Sequence, residues 1–185
     1  MYPIAHLGIG AAVAKTFRFR GISWYNQNLE WFPLLLGTLL PDLIDKPIYY
    51  ALVLYRGQTG SELGMVAGTR SFGHTLLFLI FILTASILVK SSKGIALTWG
   101  VATHQFLDVI SDIILNHRVT ALTFRAFLWP FMGLQFPVTP YQNLGEQVAH
   151  WLNREELIGE SIGILILLFI LILGRRIYAK IKTRF

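Results

Sequence analysis

GIALTWGVATHQFLDVISDIIL, residues 94–115, decides how the rest of the chain reads. It is an apolar run of helical character that still carries His104, Asp108 and Asp112. The three are spaced by four residues, so on a helix they share one face, each a turn from the next. A carboxylate among apolar residues is costly unless something compensates it. Ionisable residues in a membrane setting face a cavity or one another, and are functional candidates by default.

The same setting recurs along the chain. The only other aspartates are Asp42 and Asp45, in LLGTLLPDLIDKP, and His6 and His74 also stand in apolar stretches. Hydrophobic residues make up 54% of the 185 and charged residues 14%, with mean hydropathy +0.56. A soluble domain carries about 25% charged residues, so the balance points to an integral membrane protein. With no cysteine, disulfides and thiolate ligands are excluded, and any metal must take N and O ligands. The net charge of +6 is not gathered into a patch that would fit nucleic acid. Ten of the sixteen Lys and Arg fall in three clusters, Lys15/Arg18/Arg20, Lys90/Lys93 and the tail from Arg175 to Arg184.

These features predict an all-α, polytopic membrane protein with four to five embedded helices, some short or half-spanning. Pro3–Phe17 and Phe32–Leu40 are short apolar runs, the second stopping at Pro41-Asp42, and Pro47–Tyr55 is a further one. Phe72–Val89 is 18 residues without formal charge, a spanning candidate, and 157–174 is the strongest span, interrupted only by Glu160. Residues 56–71 read as a loop, and Met1-Tyr2-Pro3 does not open a signal peptide. The whole chain, 1–185, reads as one membrane domain closed by a basic cytoplasmic tail, 175–185. Placing the basic clusters inside gives a multi-pass protein of a bacterial inner membrane with a cytoplasmic C-terminus. His6, Asp42, Asp45, His74, Asp108 and Asp112 then converge on the outer side.

Imidazole with carboxylate suits Zn²⁺, with Mn²⁺ or Fe²⁺ as alternatives. A carboxylate bridging two metals would favour phosphoester hydrolysis by metal-bound water. Plainer readings stand beside these. His6 fits an interfacial histidine, Asp42 a turn or N-cap, Asp45 a surface ion pair with Lys46, His74 a cap after Gly73, and His104–Asp108 a buried hydrogen bond without metal. Asp112 fits a helix end, Arg70 a loop cation or lipid-phosphate contact. Trp129, Phe131 and Phe136 fit an interfacial aromatic belt.

The pieces His6-Leu-Gly, LLPDLID (39–45), TRSFGHT (69–75), THQFLD (103–108) and FLWPF (127–131) occur in an order that resembles the YdjM-like (DUF457) membrane-bound metal-dependent hydrolase family. The resemblance covers residues 3–131. More distantly, the order of His, Asp, His and His-x-x-x-Asp is similar to the zinc-dependent phospholipase C and S1/P1 nuclease group. The resemblance implies a metal-dependent hydrolase core whose polar residues fall on His6, Asp42, Asp45, Arg70, His74, His104 and Asp108. We assign His6, Asp42, His74, His104 and Asp108 as metal ligands, Asp45 as supporting carboxylate or general base, and Arg70 as phosphate clamp. Membrane lipids are the expected partner and a lipid headgroup the expected phosphoester. Thr69 and Gly73 depart from the family pattern, which has His and Thr there, and His117 and His150 are only positional candidates for further ligands. A non-enzymatic membrane protein, with the same residues forming a polar core or an ion site for a partner, is the competing reading.

Overall fold

The structure, a computed structural model, describes residues 3–16, 30–116, 124–139, 145–146, 149 and 154–182. His117 and His150 lie outside the described residues, as do 17–29 and 183–185. The described regular structure is helical: α1 (Pro3–Thr16), α2 (Trp31–Gly37), α3 (Leu40–Arg56), two 3-10 turns (Gly60–Leu63 and Phe72–His74), α4 (Leu76–Leu88), α5 (Ser92–Asn116) and α6 (Arg154–Lys182).

Local chemistry sets the helix ends. Pro41 stands at the start of α3, where its missing N–H costs nothing, and Asp42 lies in the first turn. The Pro41-Asp42 step therefore begins a helix instead of stopping one, and the run from Pro47 belongs to that same helix. Gly57, at φ +64°, closes α3 by donating its N–H to the Val53 carbonyl at 2.9 Å. The Thr75 hydroxyl caps α4 by accepting from the Phe78 N–H at 3.0 Å. Ser91 does the same for α5, accepting from the Gly94 N–H at 3.0 Å.

Close contacts fix how the helices cross. Helix α2 lies against α5 with Leu34 and Ala96 buried between them and Leu35 and Trp99 at the edge. A Cβ on Gly100 would stand 2.7 Å from the Gly37 Cα, so this crossing needs both glycines. Helix α1 packs on α6, where a Cβ on Gly8 would stand 2.7 Å from the Gly163 Cα. In α3 the buried positions are Pro41, Asp45, Tyr49 and Val53, a stripe at four-residue spacing. Asp45 thus occupies an inward position of that helix.

The expected membrane topology is overturned. Among the described residues no helix is long and apolar enough to cross a membrane. The candidate Phe72–Val89 spends its first three residues in a 3-10 turn, leaving α4 with 13 residues. At 1.5 Å per residue, α4 is about 20 Å long, against about 30 Å for a hydrocarbon core. Helix α5 has 25 residues but carries Lys93, His104, Asp108 and Asp112. The candidate 157–174 lies within α6, and the tail from 175 continues that helix to Lys182. With no span among the described residues, the basic clusters assign no side to the C-terminus. The aromatic belt is also corrected. Trp129 stacks on Phe136 at 5.2 Å, and both meet Phe72 edge-on, at 5.9 and 5.1 Å. Phe136 is fully buried, whereas Phe131 is exposed. This wedge backs the Phe72–His74 turn, and the Leu76 N–H donates to the Phe127 carbonyl at 2.8 Å.

Candidate metal centre

Four elements meet around the His74 and His104 imidazoles. Helix α1 brings His6, α3 brings Asp42 and Asp45, the 3-10 turn brings His74, and α5 brings His104, Asp108 and Asp112. Asp42 and Asp45, three residues apart, take opposite edges of one ring. Asp45 accepts from His74 Nδ1 at 2.7 Å, and Asp42 Oδ1 stands 3.7 Å from His74 Nε2. Asp45 also accepts from the Ser71 and Gly73 N–H groups, at 2.7 and 2.9 Å. The α3 to turn junction leaves little space, since a Cβ on Gly73 would meet Pro41 Cα and O at 2.9 Å. A glycine at position 73 therefore has a steric reason in this chain.

His104 is held in the same sense by a different acceptor. Its Nδ1 lies 2.7 Å from the Thr38 carbonyl at the end of α2, a contact that requires Nδ1 to carry the proton. Nε2 of His104 is then a lone pair, and it lies 3.1 Å from His74 Nε2. Two lone pairs at that distance repel unless a proton or a cation lies between them. Asp108 Oδ2 stands 3.3 Å from His74 Nε2 and 3.8 Å from His104 Nε2, while its Oδ1 stands 3.2 Å from His6 Nε2. His6 is fully buried and its ring stacks on His104 with centroids 4.0 Å apart. Its Nδ1 has no hydrogen-bond partner among the described residues.

Among the described residues, two sets of three side chains each bring their ligand atoms within 4.8 Å of one another: His6, His104 and Asp108, and Asp42, His74 and His104. With Zn–N bonds of about 2.0–2.1 Å, two ligands of a tetrahedral ion stand about 3.3–3.4 Å apart. The spacings around His74 Nε2 bracket that value.

The charges agree with an open cation position. Arg70 Nε meets Asp108 Oδ2 at 3.0 Å and its Nη1 meets Asp112 Oδ2 at 2.5 Å. Lys46 pairs with Asp42 at 2.6 Å and not with its neighbour Asp45, which is fully buried. Four carboxylates thus face two fixed cations, leaving two negative charges for histidine protons or a divalent ion to neutralise. Burial by itself would lower the His74 pKa, but hydrogen bonds to Asp108 and Asp45 outweigh it and raise it to about 9. For His104 burial prevails, with the neighbouring imidazoles adding to it, and lowers the pKa to about 3. Burial would raise the Asp108 carboxyl, yet the Arg70 charge, aided by the histidines, holds it well below its ordinary value. Asp45 is likewise lowered against burial, by His74 and the two backbone donors.

All seven site residues named from the sequence lie in or beside this cluster. The geometry sorts them. Asp45, its oxygens occupied by three donors, orients His74 and does not face the centre. Arg70 stands at the edge, its side chain 30% exposed, so that it remains within reach of solvent. Asp112 is more than a helix end, because it anchors Arg70. Thr38 was missed; its part is played by a backbone carbonyl, which no residue type announces. Gln105 was missed as well. It donates to the Gly73 and Thr75 carbonyls, both at 3.0 Å, and so braces the His74 turn, and its position inside the His-x-x-x-Asp helix was the available signal.

Among the described residues, the fold and site define an all-helical protein with a buried cluster of His and Asp side chains spaced as metal ligands are. A family model described as "YdjM inner membrane protein" matches residues 1–181, and the chain belongs to that family. No curated protein and no solved structure matches it.

Proposed function

We propose that this inner membrane family member is a metal-dependent hydrolase acting on a phosphoester, such as a lipid headgroup. The cluster of His6, Asp42, His74, His104 and Asp108 would hold one or more divalent cations, Zn²⁺ before Mn²⁺ or Fe²⁺. The observation that carries this reading is the His74 Nε2–His104 Nε2 pair, 3.1 Å apart with both Nδ1 atoms already engaged. When bound, the metal would supply an activated water and offset negative charge on the phosphoryl oxygens. Asp45 and the Thr38 carbonyl keep the two imidazoles turned toward the centre. Arg70, partly exposed and fixed by Asp108 and Asp112, is suited to meet an anionic substrate oxygen. Membership of an inner membrane family puts lipid headgroups within reach.

Metal analysis of purified protein tests this, with His104→Ala and Asp108→Ala alongside. Wild type should carry stoichiometric metal, and the variants should lose metal and hydrolysis while remaining helical. Active wild-type protein without stoichiometric metal would overturn it. A second reading, a non-enzymatic protein whose cluster is a structural polar core, is favoured by the raised His74 pKa, which lets a proton occupy the place between the imidazoles. It predicts that the double variant misfolds or loses a partner, with no hydrolysis to lose.

A further inference from the structure

His6 differs from the other two histidines of the cluster. His74 and His104 are each aimed by an acceptor on Nδ1, whereas His6 Nδ1 has no hydrogen-bond partner among the described residues and His6 Nε2 meets Asp108 Oδ1 at 3.2 Å. Its ring is held by the stack on His104, by Asp108 and by the backbone of α1. With no acceptor on Nδ1 to turn the ring, what fixes that backbone sets where His6 enters the cluster.

Helix α1 has no acidic residue in its first turn to meet its unpaired N–H groups. The acceptor comes from the far end of the chain. Glu160 of α6 accepts from the Ile4 N–H at 3.1 Å, a bond spanning 156 residues. One turn further along α6, a Cβ on Gly163 would stand 2.5 Å from the Ala5 Cα, so α1 and α6 meet backbone to backbone. Ala5 is buried against this contact, and His6 is the next residue. A carboxylate at a helix N-terminus also complements the dipole of that helix.

We propose that Glu160 is a positioning residue for His6, and that α6 is thereby a structural part of the metal centre and not only an appendage to the core at 3–131. As a statement about metal, this rests on the function proposed above; as a statement about His6 placement, it does not. The test accordingly has a metal-free arm. Purified metal-free protein is treated with diethyl pyrocarbonate, and carbethoxylation of each histidine is read by mass spectrometry. In wild type His6, His74 and His104 should all be protected. In Glu160→Ala, His6 should become labelled while His74 and His104 stay protected. Glu160→Gln, whose amide oxygen can still accept from the Ile4 N–H, should restore protection. Gly163→Ala, which pushes α1 away without touching the carboxylate, should label His6 as Glu160→Ala does. Equal protection of His6 in Glu160→Ala and wild type would overturn the inference, and so would labelling of all three histidines together in both the Glu160→Ala and Gly163→Ala proteins. In the second arm, Co²⁺ affinity and absorption are compared. Glu160→Ala should bind about tenfold more weakly and give the spectrum of His6→Ala, with Glu160→Gln near wild type. Failure of wild type itself to bind Co²⁺ would sink the function proposed above and leave the labelling result to decide the role of Glu160.

Discussion

Asp45→Asn is the sharpest probe of the site, because it changes one heavy atom at a position where both oxygens already accept from named donors. The carboxylate accepts from the Ser71 N–H at 2.7 Å and His74 Nδ1 at 2.7 Å on one oxygen, and from the Gly73 N–H at 2.9 Å on the other. An amide offers one oxygen and one NH₂ group. If its oxygen keeps Ser71 and His74, its NH₂ points at the Gly73 N–H; turned over, it opposes the other two donors. Gly73 has little room to retreat, since it already lies against Pro41. Hydrogen bonds to a charged group are worth about 1.5–3 kcal/mol each, so losing one and weakening two should cost about 3–5 kcal/mol of stability. The His74 ring also loses the acceptor that fixes its tautomer, a change that lowers metal affinity by about 10–100-fold elsewhere. Urea denaturation of metal-free protein measures the first effect and chelator competition the second. Stability within about 1 kcal/mol of wild type, together with unchanged metal affinity, would refute the claim that Asp45 orients His74.

Metal-free protein should be most stable near pH 6.5, the ordinary histidine value from which His74 is raised to about 9 and His104 lowered to about 3. The His74 contribution is fully present below 6.5 and lost as pH rises toward about 9, while the His104 contribution is present above 6.5 and lost as pH falls toward about 3. A midpoint profile from thermal unfolding in chelator that rises or falls monotonically across this window would contradict those assignments. Gly100→Ala should destabilise by about 1–3 kcal/mol, because its methyl would meet the α2 backbone. By shifting the Thr38 carbonyl away from His104 it should also weaken metal binding, and intact binding in a destabilised Gly100→Ala protein would separate the two effects.

Read alone, the sequence determined the helical character of the chain and picked out its unusual polar residues. Both are local properties: the four-residue spacing of His104, Asp108 and Asp112 puts them on one face whatever surrounds the helix, and a charge in an apolar run is visible without coordinates. Hydropathy misled where helix boundaries mattered. An apolar window counts residues, and it cannot register that Phe72–His74 is a 3-10 turn capped by Thr75, which leaves α4 too short to span. Only the tertiary structure decided what each polar residue meets. Asp45 turned inward to His74 and left Lys46 to Asp42, Asp112 anchored Arg70, and a carbonyl of α2 aimed His104 at a ring 30 residues away. These partners are set by close backbone crossings at Gly37–Gly100 and Gly8–Gly163, which bring distant segments together and which no spacing along the chain encodes.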